Sequence, residues 1–246
     1  MKPSERFSNR VADYVRGRPG YPPGIVATLV SRFGLSPTWT IADVGAGTGI
    51  SASLFLERGC TVIAVEPNEG MRAILSGIPR LRVVAAPAEA TTLEAGSVDA
   101  VVAFQAFHWF DRPRFRAECL RILKPEGIAA LVWNIRKSST RFAVAYEALI
   151  REFATDYLKV RHENVSEDEI AAFFGGAPER HDFDNVQVLD RSGLRARLAS
   201  SSYMPGAGEP GHDAMLLDLD RLFVEHERDG RVELPYDASL FAGRIT

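Results

Sequence analysis

The stretch from Ile41 to Ile50 most constrains how this chain can fold, because a short apolar run ending at Val44 leads into three closely spaced glycines. These glycines are Gly45, Gly47 and Gly49. The apolar run predicts a buried strand, and a helical pattern begins after the last glycine. Glycine accepts positive φ and lets the backbone approach a ligand, whose polar end then faces the free N–H groups of the next helix. The order strand, glycine turn and helix predicts a binding loop of the nucleotide type.

Length, charge and cysteine content restrict the class of protein. The 246 residues, 46% of them apolar, can fill the core of one large α/β domain. The net charge of −3 argues against a polyanionic partner, so we expect no binding of nucleic acid. Cys60 and Cys119 provide no disulfide framework, which favours a reducing compartment. The five histidines are scattered without metal-ligand spacing, and we expect no metal site.

The N-terminus lacks the apolar region of a signal peptide, and no apolar run approaches the ~18 residues of a membrane span. We therefore expect a cytoplasmic protein without a membrane partner, either a monomer or a homodimer. Residues 1–24 combine aromatic side chains with prolines and glycines, which is typical of a packed segment rather than a solvated tail. Two interpretations of this segment stay open, a clamp over the sheet edge and a lid over a ligand.

Five apolar runs with helical patterns between them predict a parallel, right-handed, doubly wound sheet. After the run ending at Val44, these are Thr61–Val65, Leu81–Ala86, Val98–Phe104 and Ile128–Trp133, the last preceded by a predicted turn at Lys124–Gly127. Two later runs, Val186–Leu189 and Val232–Leu234, predict further strands. Between the fifth and sixth strands, residues 137–182 predict a helical insertion that covers the carboxyl edge of the sheet.

The spacing of the glycines decides between ligands. A dinucleotide fingerprint requires glycine at the first, third and sixth positions, but the sixth position counted from Gly45 is Ile50. A phosphate-binding P-loop requires Gly-Lys-Ser or Gly-Lys-Thr, whereas Gly49 is followed by Ile50 and Ser51. The P-loop is excluded, and the dinucleotide site is disfavoured.

The residues resemble the class I S-adenosylmethionine-dependent methyltransferase family. Its first motif, acid-hydrophobic-Gly-x-Gly-x-Gly, matches Asp43 to Gly49, and its acidic residue for the ribose hydroxyls matches Glu66. Further motifs match Ala88-Glu89, Val98–Val102, Phe104–Trp109 and Leu123–Gly127. The spacing is similar to that of the small-molecule branch, methyltransferase type 11, which includes the ubiquinone-biosynthesis and trans-aconitate methyltransferases. Members of that branch often carry a Tyr and an Arg-Pro near the N-terminus, like Tyr14, Arg18 and Pro19.

This resemblance implies a Rossmann-like, seven-stranded α/β sheet, mostly parallel with one antiparallel strand, with helices on both faces. It implies one domain over residues 1–246, with a cofactor-binding core at 25–136 and residues 183–246 completing the sheet. The cofactor would be S-adenosylmethionine, leaving as S-adenosylhomocysteine. The implied cofactor-binding residues are Tyr14, Arg18, Asp43, Gly45, Ala46, Gly47, Thr48, Gly49, Glu66, Pro67, Met71, Ala88, Glu89, Phe104 and Gln105.

The implied reaction is O- or C-methylation of a small-molecule acceptor such as a metabolite acid, phenol or quinol. His108 is the candidate general base, because the loop after the fourth strand borders the methyl-transfer site in this family. Gln105, Phe107, Trp109 and Tyr14 are expected to shape the pocket, and residues 137–182 to form the acceptor site. Arg16 or Arg18 could hold a carboxylate of the acceptor or of the cofactor.

Several alternatives remain at this point. His108 could serve only to hydrogen-bond its loop, Met71 could be a core residue, and Glu89 could be an exposed acid at a helix start. Pro87 replaces the Asp that many relatives carry, which leaves adenine recognition to Ala88 and Glu89. A non-catalytic S-adenosylmethionine sensor is the main functional alternative. DNA methylation is disfavoured without an Asn/Asp-Pro-Pro-Tyr motif, and aminopropyl transfer without an acid-rich pocket.

Overall fold

A seven-stranded mixed sheet organises the protein, whose computed structural model describes residues 16–155 and 165–246. Its strand order is β3-β2-β1-β4-β5-β7-β6. The strands are β1 (Thr40–Val44), β2 (Thr61–Val65), β3 (Leu81–Val84), β4 (Val98–Phe104), β5 (Leu123–Arg136), β6 (Glu179–Leu189) and β7 (Val232–Gly243). The first five pair in parallel, and β7 runs antiparallel to both of its neighbours. The predicted sheet with one antiparallel strand is confirmed.

Helices cover both faces of this sheet. Those in the described residues are α1 (Pro23–Phe33), α2 (Ile50–Glu57), α3 (Glu69–Leu75), α4 (Arg112–Ile122), α5 (Arg141–Phe153), α6 (Glu167–Phe174), α7 (Arg191–Ala199) and α8 (His212–His226). The predicted N-caps are present, because Asn68 accepts the N–H of Met71 and Asp111 that of Arg114. None of the helices in these ranges combines the length and apolarity that crossing a membrane would require.

The parallel strands are buried on both sides, and alternate residues therefore enter two different cores. On one side Ala42, Val101 and Leu131 pack with residues of α4 and α6. On the other side Ile41 and Val102 pack with residues of α1 and α2. This double burial explains why the strands read in the sequence as continuous apolar runs.

The structure extends the two C-terminal strands beyond their predicted ends. β6 begins at Glu179 rather than Val186, and β7 continues to Gly243 rather than ending at Leu234. β6 lies at the edge of the sheet and alternates half-buried with exposed residues, so only its last residues resemble a buried strand. β5 includes the predicted turn at Lys124–Gly127, beside a shift in its pairing with β4.

The two helices of the segment predicted as an insertion, α5 and α6, pack in different places. α5 packs with α7 and α8 in a separate hydrophobic cluster at the carboxyl ends of β5 and β6, where a cover was expected. α6 instead packs against α4 on one face of the sheet, since Phe173 stacks on Phe115 with 5.4 Å between ring centroids. Its predicted capping box, formed by Ser166 and Glu169, is present. Tyr157 of the predicted long helix lies outside the described residues.

Phe173 should account for much of the attachment of α6 to the sheet. Its ring is 2% exposed and also contacts Phe107 with 5.0 Å between centroids. We expect Phe173→Ala to lower the free energy of unfolding by about 3–5 kcal/mol, because it removes buried aromatic area and leaves a cavity. Chemical denaturation followed by far-ultraviolet circular dichroism measures this change. The control Val144→Ala on α5, where Val144 is 53% exposed, should cost less than about 0.5 kcal/mol. A loss of under about 1 kcal/mol in Phe173→Ala would contradict the expectation.

Candidate functional site

A cleft opens at the carboxyl ends of β1, β4 and β5. The chain winds outward in opposite directions from β1 and β4, so this is the position where open α/β sheets bind ligands. The cleft is lined by Arg18, Pro19, Tyr21, Gly45, Ala46, Thr48, Ile50, Ser51, Phe104, Gln105, Asn134, Arg197 and Tyr236. Six of the predicted site residues are among them: Arg18, Gly45, Ala46, Thr48, Phe104 and Gln105.

The glycine loop forms one wall of this cleft. Gly45, Gly47 and Gly49 have φ of 72°, 56° and 86°, a region that residues with a Cβ rarely adopt. The N–H of Gly45 donates to the carbonyl of Val65 at the end of β2, with 2.8 Å between N and O. A Cβ on Gly45 would lie 2.6 Å from the Cβ of Ala106 in the loop after β4. The loop therefore packs against both neighbouring strand ends only because it carries glycine.

Asp43 lies directly beneath the loop and is fully buried. Its Oδ2 accepts the hydroxyl of Ser51, at 2.6 Å, and within the described ranges its Oδ1 has no hydrogen-bond partner. Burial raises the pKa of Asp43 to about 7, against the lowering effect of Ser51, and the charge of Glu66 adds to the rise. An unsatisfied buried carboxylate oxygen is costly, which suits a site for a donor from a ligand.

Glu66 follows β2 and holds the loop from the other side. Its Oε2 accepts the N–H of Gly47, at 2.9 Å, and its Oε1 accepts the N–H of Asn68, at 2.8 Å. Burial raises the pKa of Glu66, while these two N–H donors oppose the rise. The carboxylate thus joins the glycine loop to the N-terminus of α3, and its role toward a ribose stays a prediction.

The loop after β4 contributes Phe104 and Gln105. Gln105 has φ of 51°, which is unusual for a residue other than glycine, and its Nε2 donates to the carbonyl of Asn134 at 2.9 Å. Its buried Oε1 has no hydrogen-bond partner in the part of the chain that the structure describes. The strained backbone places a second buried acceptor oxygen at the cleft.

Residues 16–21 belong to the segment predicted as a clamp or a lid, and three of them, Arg18, Pro19 and Tyr21, line another side of the cleft. The carbonyl of Gly17 accepts from Gln187 of β6, and the carbonyl of Gly20 accepts from both Asn134 and Asn185. Tyr21 stands edge-on to the ring of Phe104, with 4.7 Å between centroids. Because this segment bonds to the sheet end and also lines the cleft, it positions one wall rigidly. Tyr14 lies outside the described residues.

The remaining predicted site residues do not line the cleft. Met71 and Ala88 are buried and Pro67 is exposed, while the Glu89 carboxylate accepts the N–H of Asp111 at 2.8 Å. His108 lies in a short 3₁₀ turn, half-buried, with its ring 4.9 Å from that of Trp109. The roles assigned to these residues from the resemblance stay predictions.

Phe107 does not shape the cleft as expected. Its side chain is fully buried and packs among Phe115, Phe173 and Trp133, with 6.1, 5.0 and 6.0 Å between centroids. The residue belongs to the hydrophobic core, because the 3₁₀ turn directs it toward α4 and α6 rather than toward β1. Aromatic composition alone did not distinguish these two orientations.

Seven cleft residues are not among the predicted site residues: Pro19, Tyr21, Ile50, Ser51, Asn134, Arg197 and Tyr236. Asn134 follows the apolar run of β5 as Gln105 follows that of β4, and this position after a strand is a usable signal. Arg197 lies on the apolar face of α7 between Leu194 and Leu198, where a charged residue is itself unusual. Tyr236 lies within β7 and carries no such signal. Among the described residues, no three or more His, Cys, Asp or Glu side chains group as metal ligands would.

Comparisons with known proteins match the same part of the chain. Residues 42–131 match the model of a family described as a methyltransferase domain. An uncharacterized methyltransferase of Mycobacterium bovis is 39% identical over 131 residues, which are 53% of this chain and 52% of the relative. A Saccharomyces cerevisiae protein, provisionally named an S-adenosylmethionine-dependent methyltransferase, is 25% identical over 67% of this chain and 59% of its own. The match thus spans about half the length of these curated relatives.

A solved structure extends the likeness in fold to nearly the whole chain. It comes from Anaeromyxobacter dehalogenans, is provisionally described as a type II methyltransferase, and superposes with a TM-score of 0.67. The alignment covers 93% of this chain and 98% of that one at 22% identity, a likeness that concerns the fold alone. The matched residues 42–131 carry the glycine loop, Glu66 and the loop after β4, so this part of the chain is similar to a methyltransferase domain.

Proposed function

We propose that this protein transfers the methyl group of S-adenosylmethionine to a small-molecule acceptor. The observation that carries the proposal is Asp43, whose Oδ1 is buried without a partner among the described residues, beneath a glycine loop with positive φ. A ligand that brings a cationic donor to this loop would satisfy the carboxylate. The methionine end of S-adenosylmethionine carries an ammonium group, which is such a donor.

The other residues of the loop region also suit this cofactor. Gln105 Oε1 is a second buried acceptor without a partner among the described residues, and it follows β4, the strand that pairs with β1. Glu66 accepts one N–H on each carboxylate oxygen, and a carboxylate has about four acceptor sites. Glu66 can therefore hold the loop and still accept both hydroxyls of a ribose. The family relationship and this donor and acceptor chemistry point to the same cofactor.

The cleft also suits an acceptor of small size. Tyr21 and Phe104 supply an aromatic wall, and the bonded segment at residues 16–21 closes one side. A closed aromatic wall favours a small organic acceptor over a polymer, in agreement with the small-molecule branch of the family.

Methyl transfer makes modest chemical demands on the chain. When bound, the cofactor supplies a methyl group already activated by its sulfonium, so the protein has mainly to align a nucleophile and exclude water. Tyr21, Phe104 and the backbone of the glycine loop serve these two tasks. His108, one turn beyond the cleft residues of β4, stays the candidate base for an acceptor that must lose a proton.

Formation of S-adenosylhomocysteine tests the proposal directly. The purified protein, incubated with S-adenosylmethionine and a panel of metabolite acids, phenols and quinols, should form S-adenosylhomocysteine with at least one acceptor. Mass spectrometry then locates the added methyl group. Tight cofactor binding with no turnover across the panel would favour the sensor instead of the enzyme.

Gly47→Val should weaken cofactor binding by blocking the loop. Valine adds a branched side chain at a φ of 56°, and it disturbs the backbone N–H that Glu66 accepts. We expect calorimetry to show at least about tenfold weaker binding of S-adenosylhomocysteine, since a bond to a charged group contributes about 1.5–3 kcal/mol.

Gly34→Val provides a matched control for Gly47→Val. Gly34 ends α1 with a φ of 74°, and no atom lies within 4 Å of a Cβ placed there, so the strain is similar but distant from the cleft. This control should be less stable yet bind S-adenosylhomocysteine normally. Wild-type affinity in Gly47→Val would exclude the loop as the methionine site.

Asp43 should make cofactor binding depend on pH. The pKa of Asp43 is raised to about 7, so the carboxyl is largely protonated at pH 6, whereas a bound ammonium group favours its ionised form. Affinity should therefore fall as the pH falls, to about one fifth at pH 6 of its value at pH 7. The amino group of S-adenosylhomocysteine stays protonated over this range.

Asp43→Asn should bind S-adenosylhomocysteine more weakly and lose most of this pH dependence. The amide keeps an oxygen for Ser51 but carries no charge. Glu66, whose pKa is also raised, remains in the variant and accounts for any slope that persists. Calorimetric titrations of both proteins at pH 6 and pH 7 make the comparison. If the affinity of Asp43→Asn for S-adenosylhomocysteine changed with pH as much as that of the wild type, the pH dependence would belong to another group.

A further inference from the structure

We propose that Arg197 binds a carboxylate of the acceptor, which makes the acceptor a small organic acid. This inference rests on the proposed methyl transfer, because it assigns the second occupant of the same cleft. It narrows the acceptors from acids, phenols and quinols to the acids. The argument depends on the burial of Arg197, on its partners and on the charges around it.

Arg197 is a buried cation that opens onto the cleft. It is 4% exposed, lies on α7 and is among the cleft-lining residues. Its Nε donates to the hydroxyl of Tyr236 and its Nη1 to the hydroxyl of Ser201, both at 3.2 Å. Within residues 16–155 and 165–246, no ion pair includes Arg197. The guanidinium is thus solvated by neutral hydroxyls at the end of a cleft.

A guanidinium stays charged at every pH at which proteins fold, so burial cannot be relieved by loss of a proton. Burying a charge without a counter-ion costs several kcal/mol, and buried arginines are normally paired with an acid. An anion that enters the cleft would supply that pair. Arginine also presents donors in a planar fork that matches a carboxylate in two parallel hydrogen bonds.

The surroundings of Arg197 are positive as well. Arg18 also lines the cleft, and its Nη2 donates to the carbonyl of Ser200 at 2.8 Å. Burial alone would raise the pKa of Tyr203, yet the charges of Arg136 and Arg197, a hydrogen bond with Ser201 and the charge of Arg18 lower it. Arg136 also forms an ion pair with Glu147, at 2.9 Å. The potential in this part of the cleft therefore favours an anion.

The other residues that line the cleft indicate what kind of group the acid carries besides its carboxylate. Three aromatic residues, Tyr21, Phe104 and Tyr236, line the same cleft, and so does Asn134. An aromatic or unsaturated carboxylic acid would place its planar body against these rings and its carboxylate at Arg197. The other anion available is the carboxylate of the cofactor's methionine, and the experiment separates the two.

The test uses calorimetric titration of the full chain with three acids and their amides, alone and saturated with S-adenosylhomocysteine. The probes are benzoate, cinnamate and succinate with benzamide, cinnamamide and succinamide, and phenyl phosphate is a further arm. We expect at least one acid to bind about tenfold or more tightly than its amide. Arg197→Met should weaken that acid by about tenfold or more, the loss expected for a hydrogen bond to a charged group, and leave the affinity for S-adenosylhomocysteine within about twofold.

Two further variants keep the test decisive. Arg195→Met removes an arginine of the same helix that pairs with Asp220 at the surface, and it should leave all affinities unchanged. Arg197→Lys keeps the charge without the fork, so its affinity for the acid should lie between those of wild type and Arg197→Met. If Arg197→Met does not fold, Arg197→Lys alone provides the test.

Four results would overturn the inference. They are equal binding of acid and amide by the wild type, no binding of any acid, acid binding that Arg197→Met leaves unchanged, and tighter binding of phenyl phosphate than of every acid. A parallel loss of S-adenosylhomocysteine affinity in Arg197→Met would assign Arg197 to the cofactor's carboxylate instead. Failure of S-adenosylhomocysteine to bind the wild type would refute the proposed function, whereas the titrations without it still test the anion site.

Discussion

The carboxylate of Glu66 is the constraint on which the cofactor region depends. By accepting the N–H groups of Gly47 and Asn68, it fixes the glycine loop against the start of α3. Asp43 lies on the adjacent strand, and the charge of Glu66 makes ionisation of Asp43 more costly. Two buried acids beneath a loop of glycines are stable together only where donors reach them. The backbone supplies donors to Glu66, and Asp43 keeps one oxygen for a ligand.

Local sequence patterns predicted the parts of the fold that local forces determine. The doubly buried strands appear as apolar runs, and the caps at Asn68, Asp111 and Ser166 appear as polar residues before helices. β6 was mostly missed because an edge strand alternates polar and apolar residues and has no continuous run. The ends of strands were therefore less predictable than their centres, where residues are buried on both faces of the sheet and must be apolar.

The candidate site likewise has a part that local sequence patterns predict and a part that they do not. The glycine loop and Gln105 follow strands in the sequence, so their place at the carboxyl edge could be predicted from order alone. Arg197 and Tyr236 reach the cleft only through the packing of α7 and β7 against β5 and β6, which no local pattern encodes. The misplacement of Phe107 has the same origin, because the direction of its side chain depends on α6, far away in the sequence.

The hydrogen bonds of residues 16–21 join the first part of the chain to the last. Gly17 and Gly20 bond to side chains of β5 and β6, and Arg16 bonds to Ser192 at the start of α7. The wall around Arg197 thus assembles from segments about 180 residues apart, while the glycine loop and Glu66 come from one continuous stretch. Changes in the two terminal regions can alter the choice of acceptor without touching the cofactor loop, so relatives could diverge in acceptor while keeping one cofactor.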